Sequence, residues 1–334
     1  MKSVHLVIPD LFLPADIAAE ASAGLMLPAL ERMLARGVSA DAEDIGGGLE
    51  EALCGLFAPS AGTPIAAVSA AFDGLEAGHW LRADPAYMQL HRTQLVMQPA
   101  GRVTAGEAAQ FCAALNEHFA GQGLEFVAPH PQRWYVRLPA MPDIRTVPLS
   151  QASGRDVRGL LPEGEEGPRW QQLFNEMQML LFAHPLNELR EARGEMPVNS
   201  VWLWGNGVAA IQTPCRYACV SSDEELAGMF AAAAGASFSG WTERWRAEEG
   251  EQLLVWTGLR NALQQGDLHA WRTALQSFET NHAQPLWRAL RAGDIAQLQL
   301  DVPGEEGMRR IRLTRAGAWS LWRRPRRLAA HSMV

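Results

Sequence analysis

Residues 170–207 read WQQLFNEMQMLLFAHPLNELREARGEMPVNSVWLWGNG, and the division of this stretch into elements decides the fold. Leu173, Met177, Leu180 and Leu181 recur at helical spacing, and Pro185 stops the helix they define. Asn187 and Arg190 follow at once. Val201 to Trp204 then form a strand-like run that ends in Gly205-Asn206-Gly207, a turn whose backbone amides are placed to face an anion. The pattern predicts a ligand-facing hinge between a helix and a buried strand. Its competitor is the same helix and strand joined by a solvated polar loop.

Upstream, residues 79–85 (HWLRADP) read as a strand, and Thr104 with Glu107 as a capping box for a helix over Ala108 to Phe119. Residues 124–138 read as two strands around a turn, with Trp134, Val136 and Leu138 alternating against Arg133, Tyr135 and Arg137. That order predicts a compact α/β unit over 79–198. Residues 4–9 look like a buried strand and Leu27 to Arg36 the helix that follows it, so Asp10 falls just past the carboxyl end of a strand, where open α/β sheets bind ligands. A helix is predicted over Leu49 to Leu56, with turns around Pro59 to Pro64. After Gly207 come apolar runs at Leu253 to Trp256, Leu298 to Val302 and Ile311 to Thr314, and a helical stretch over Leu268 to Arg291 interrupted at Pro285. The reading is one discontinuous domain, 1–78 and 199–334, carrying 79–198 as an insert.

A chain of 334 residues, 48% hydrophobic, suits two packed domains. With 29 Lys and Arg against 37 Asp and Glu, the net charge of -8 argues against nucleic-acid binding over the whole surface. The balance reverses locally at Arg309, Arg310, Arg312 and Arg315 and at Arg323-Arg324-Pro325-Arg326-Arg327. Such a segment suits nucleic acid, anionic lipid or an acidic protein; a solvated tail is the plainer reading, and of the partners a protein is the one kept. Met1 to Asp10 lacks a signal-peptide core and no run is long enough to cross a bilayer, so a cytoplasmic protein with no membrane partner is expected. Four cysteines make no disulfide framework, and Cys215 and Cys219 read as small core residues. Twelve tryptophans read as core and interface packing. His269 and His282, near Asp267 and Glu279, read as helix-surface pairs rather than acid–base machinery.

Several segments carry a resemblance. His184-Pro185-Leu186-Asn187-Glu188-Leu189-Arg190, Pro197-Val198-Asn199 and Trp204-Gly205-Asn206-Gly207 resemble the H-P-x-N-x-x-R, P-x-N and W-G-x-G segments of the archaeal-type 2,3-bisphosphoglycerate-independent phosphoglycerate mutases. Leu27 to Gly37 resembles that family's T-P-N-L-D-x-L-A-x-x-G helix, Trp80 to Asp84 its R-x-N-F strand, and Ala100-Gly101-Arg102 its A-G-R hairpin closure. The detailed wording is closer still to a bacterial group of RpfE-type regulatory proteins, distant relatives of those mutases. The resemblance implies an α/β fold: an alkaline-phosphatase-like core with an inserted smaller α/β domain. It also makes Arg82, Arg102, Arg133, Asn187 and Arg190 candidates for binding a small phosphorylated metabolite, since arginine's planar fork suits phosphate. Their competing role is in internal ion pairs with acids such as Asp84 or Glu188.

The mutases transfer phosphate through two divalent ions and a serine. Of their ligand set, Asp10 and Asp301 match as vestigial metal positions, but Leu11 stands where the family has glycine. The serine region corresponds to Asp44 to Leu53, which holds no Ser, Thr or Cys; Trp256 to Arg260 replaces D-x-x-x-H, and Arg260 and Arg315 bring positive charge toward former cation positions. No other catalytic motif is present. The implied function is a catalytically degenerate, regulatory protein that binds an anionic metabolite or a protein partner and needs no cofactor. Its rival is an active mutase or phosphatase with a rebuilt site, using Mn2+ or Mg2+.

Overall fold

The computed structural model describes residues 2–40, 48–57, 64–207, 215–304 and 307–332. The expected turns at 59–63 and the first part of the serine region, 44–47, lie outside the described residues. Twelve strands run through the described residues: β1 Ser3–Val7, β2 Val38–Ala40, β3 His79–His91, β4 Gln94–Pro99, β5 Glu125–His130, β6 Arg133–Leu138, β7 Ser200–Trp204, β8 Cys219–Ser222, β9 Ser237–Gly240, β10 Glu251–Val255, β11 Gln297–Gly304 and β12 Gly307–Thr314. They form a seven-stranded and a five-stranded sheet, one in each of two compact units.

The first unit, Met1–Phe57 with Gln212–Val334, joins both ends of the chain. Its sheet runs β2-β12-β11-β1-β10-β8-β9; β11, β1, β10, β8 and β9 are parallel, and β12 and β2 extend the β11 edge antiparallel. Alternation along the strands separates two faces. Val4, Leu6, Leu298, Leu300, Val302, Leu254, Ile311 and Leu313 enter one core with Leu30, Met33, Trp271, Leu275, Leu286 and Leu290 from the helices Pro28–Arg36, Leu268–Phe278 and Gln284–Ala292. His5, Gln299 and Asp301 point the other way, toward Tyr217, Phe57 and Phe230. The helix predicted to break at Pro285 bulges one turn earlier, over the π segment Glu279–Ala283, and resumes with Pro285 in the first turn of Gln284–Ala292. Proline lacks the N–H for the regular ladder, and its own first-turn position requires none.

The second unit is Ala58–Ile211. Its antiparallel sheet runs β4-β3-β6-β5, and β7 pairs with the middle of β3. Leu81, Ala83, Trp134, Val136, Val201 and Leu203 pack under Phe111 and Leu115 of the helix Ala105–His118 and Trp170, Leu173, Met177 and Leu181 of the helix Gly167–Phe182. The helix Ile65–Phe72 covers the other face over Trp80 and Tyr135. Both sheet faces are therefore covered, which is why Arg133 and Tyr135 are buried rather than solvent-facing as their alternation suggested. The unit's limits also differ from 79–198. Helix Ile65–Phe72 and strand β7 are held by contacts within it, and Ala66 N–H donates to Gly205 O at 2.9 Å.

Candidate functional site

The carboxyl ends of β1, β10 and β8 carry the polar groups expected of a ligand rim. Asp10 lies three residues past β1 in the left-handed region, φ 61°, a conformation that Asp tolerates better than most side chains. Leu11 beside it is fully buried, a core anchor at the head of the rim. Arg260, at the start of the helix Arg260–Gln264 that follows β10, reaches Asp10 with Nε at 3.3 Å from Oδ2. Thr257 N–H, in the connection between β10 and that helix, donates to Asp223 at 2.7 Å, and Glu224 follows directly. Burial raises the Glu224 carboxyl above its ordinary range, opposed by the bond it accepts from Leu226 N–H and by the charge of Arg260. Asp223 and Glu224 escaped the sequence reading because β8, Cys219–Ser222, is short and polar and leaves no periodic signal.

Asp301 belongs to a separate network on the buried sheet face. Its carboxylate takes Arg310 bidentately, 2.9 Å from Nε and 2.7 Å from Nη2, and lies 2.8 Å from His5 Nε2. A carboxylate only accepts, so Nε2 carries the His5 proton; Nδ1 faces Tyr217 Oη at 2.8 Å and Arg216 Nη2 at 2.9 Å. Burial disfavours the charged carboxylate, yet the His5 and Arg310 bonds outweigh it and hold the Asp301 pKa at about 2. Desolvation dominates at His5 and lowers its pKa, leaving it neutral.

The two metal candidates thus each hold an arginine, and the residues present do not fit a two-metal centre. Among the described residues, no three His, Cys, Asp or Glu converge on a metal position. Arg260 acts where the sequence reading put it, but Arg315 does not. It follows Thr314, which pairs with Gln297 opposite Ser3, at the amino end of the sheet; Arg310, in register with Asp301, supplies the charge instead.

In the second unit the anion-binding candidates have internal partners. Arg82 donates to Asp84 Oδ1 from Nε and Nη2 at 3.1 and 2.7 Å and lies against the rings of Tyr135 and Trp204, whose Nε1 donates to Asp84 Oδ2 at 2.7 Å. Arg133 grips Asp73 at 2.9 and 2.7 Å, and Tyr135 Oη donates to the same carboxylate at 2.6 Å. Arg190, fully buried, donates to Glu107 at 3.0 Å, Met196 O at 2.9 Å and Arg102 O at 3.1 Å. Asn187 clamps the loop by donating to Leu181 O and Val198 O and accepting from Val198 N–H. Gly205 N–H donates to Thr146 Oγ1 at 3.2 Å rather than presenting itself to an anion. The stretch 183–207 is therefore a hydrogen-bonded hinge built for rigidity, and of the five candidates the Arg102 side chain is the exposed one. The late histidine pairs are structural too: Asp267 caps the helix Leu268–Phe278, Glu279 caps the helix Pro28–Arg36, and His282 Nε2 faces Thr242 O. Cys54 and Cys112 are buried, whereas Cys215 and Cys219 are half-buried and not core residues.

The architecture is that of an alkaline-phosphatase-like α/β protein. The PH0037 protein of Pyrococcus horikoshii shares the fold over 94% of this chain and 87% of its own, with a TM-score of 0.50 at 10% identity. By sequence, the chain is distantly homologous to the cofactor-independent phosphoglycerate mutases. It is 30% identical over 122 residues to the 2,3-bisphosphoglycerate-independent phosphoglycerate mutase of Methanosarcina barkeri, which is 35% of this chain and 30% of that enzyme. It is 26% identical over 114 residues to the Methanosarcina mazei enzyme, 33% of this chain and 28% of that one. The matches thus span under a third of the length of these curated relatives. No family model matches the chain.

Proposed function

We propose that this chain is a catalytically degenerate relative of the phosphoglycerate mutases that acts by binding, as a cytoplasmic regulator of the kind its RpfE-type resemblance implies. One observation carries the proposal: Arg260 on Asp10 and the bidentate Arg310 on Asp301 put fixed guanidinium charge against both carboxylates that match metal positions. A guanidinium tethered to the chain and ion-paired with the carboxylate supplies neither an open coordination position nor an activated nucleophile. The internal pairing of Arg82, Arg133 and Arg190 favours a protein partner over a free phosphorylated metabolite as the bound species.

The rival is a metal-dependent mutase or phosphatase rebuilt around Asp10, Asp223 and Glu224. A coupled assay for conversion of 3-phosphoglycerate to 2-phosphoglycerate, run with Mn2+ and with Mg2+, separates the two. No turnover above the uncatalysed background is expected. Metal-dependent turnover that disappears in Asp10→Ala would overturn the proposal.

A further inference from the structure

From Met308 to Leu328 the chain holds eight arginines and no acid, against a net charge of -8 for the whole sequence. Most of the segment's polar contacts leave that charge in place. Arg323 donates to Gly37 O at 2.9 Å and Arg327 to Leu25 O at 3.2 Å, and from below Arg36 donates to Ala318 O at 2.7 Å. A carbonyl satisfies a guanidinium's hydrogen but does not neutralise it. Glu31 lies 3.9 Å from Arg327, and Arg324 and Arg326 have no ion-pair or hydrogen-bond partner among the described residues.

Beside these charges stand the two exposed tryptophans of the molecule: Trp319 at 49% exposure and Trp322 at 79%, with Leu321 between them at 65%. The other ten tryptophans are buried or half-buried, so an exposed pair within four residues of an arginine run is a local departure from how this chain uses the residue. Arg291 lies 4.0 Å over the Trp319 ring and adds its charge to the same surface. The segment is anchored rather than loose, because Leu328 is buried in the first unit's core and Ala318 is fully enclosed.

We propose that residues 319–327 are a peripheral docking surface for an anionic lipid bilayer. Indole rings and a leucine side chain settle at the headgroup boundary, where an amphipathic ring finds both an apolar and a wet side, and uncompensated arginines are drawn to acidic headgroups. An acidic protein that pairs with the arginines and buries Trp322 is the rival occupant, and retention by poly-glutamate in place of vesicles would mark it. Nothing spans the bilayer: among the described residues, no helix is long and apolar enough. The proposal stands whether or not the chain turns over substrate.

The test is co-sedimentation of the full chain with vesicles of phosphatidylcholine alone and of phosphatidylcholine with phosphatidylglycerol, at low and high salt. Binding to the anionic vesicles alone, weakened by salt, is expected. Each of Arg324→Ser and Arg326→Ser should weaken it about fivefold, and Leu321→Ser with Trp322→Ser on the order of tenfold, with unchanged thermal midpoints because all four side chains are exposed. No binding to anionic vesicles would overturn the proposal. So would binding that the Leu321/Trp322 variant leaves intact, or retention by RNA or poly-glutamate in place of vesicles.

Discussion

Asp301 is enclosed on all sides; Arg310 balances its charge with two bonds, and neutral His5 and Gln299 complete its hydrogen bonding. Asp301→Ala takes the bidentate carboxylate partner from Arg310 and a hydrogen-bond acceptor from His5, and should cost about 3–5 kcal/mol, read as a fall in denaturant midpoint at unchanged slope. Acid reaches a different buried group, His282, before it reaches Asp301. His282 is lowered to about 4 by burial, so the unfolded chain binds a proton below about pH 6.5 that the folded chain refuses until about 4. Stability therefore falls across that window, by about 2 kcal/mol between pH 7 and 5, and His282→Phe should flatten the decline. Asp301, held at about 2, contributes fully above the unfolded carboxylate range and loses its contribution only as pH drops from about 4 toward 2. At this scale the sequence brought Arg260 toward the strand end that carries Asp10 but did not foresee Arg310 on Asp301. The Arg82–Asp84 pair was legible as a competing role because the two sit two apart on one strand face. Asp73, Glu107 and Arg310 were not foreseen as partners, because strand register and helix packing bring them in across 60, 83 and 9 positions.

The helix Pro28–Arg36 begins without a side-chain cap of its own, and a residue 250 positions away completes it. Glu279, at the head of the π segment, accepts from Ala29 N–H at 2.8 Å and Leu30 N–H at 3.0 Å with its two carboxylate oxygens. The bulge that turns Glu279 toward the helix is thus part of the first unit's core rather than a ligand device. Glu279→Ala should cost about 3 kcal/mol by removing two buried charge-assisted bonds, and Glu279→Gln less, with the difference read by thermal denaturation. The helix itself was plain from Leu27 to Arg36, and the Thr104–Glu107 capping box was read correctly, both bonds being present. Elements whose signal is short or compositional were missed: β8, β9 and the alanine-rich helix Glu225–Ala233 owe their form to neighbours in the sheet rather than to a local period.

Each of the two units has its own core, and the second is continuous in the chain. Residues 58–211 expressed alone should therefore melt cooperatively with retained near-ultraviolet signal from Trp134 and Trp202, both fully buried within that unit. A broad, non-cooperative melt would show that the unit depends on the rest. The α/β class followed from periodicity at both ends of the chain, whereas the strand order β2-β12-β11-β1-β10-β8-β9 depends on long-range pairing that no local window contains. The central claim is that arginines have taken the place of metal ions at Asp10 and Asp301. Isothermal titration of Mn2+ into the full chain at neutral pH tests it most directly: no binding heat is expected from the native chain, and saturable uptake of two Mn2+ per chain, abolished by Asp10→Ala, would contradict it.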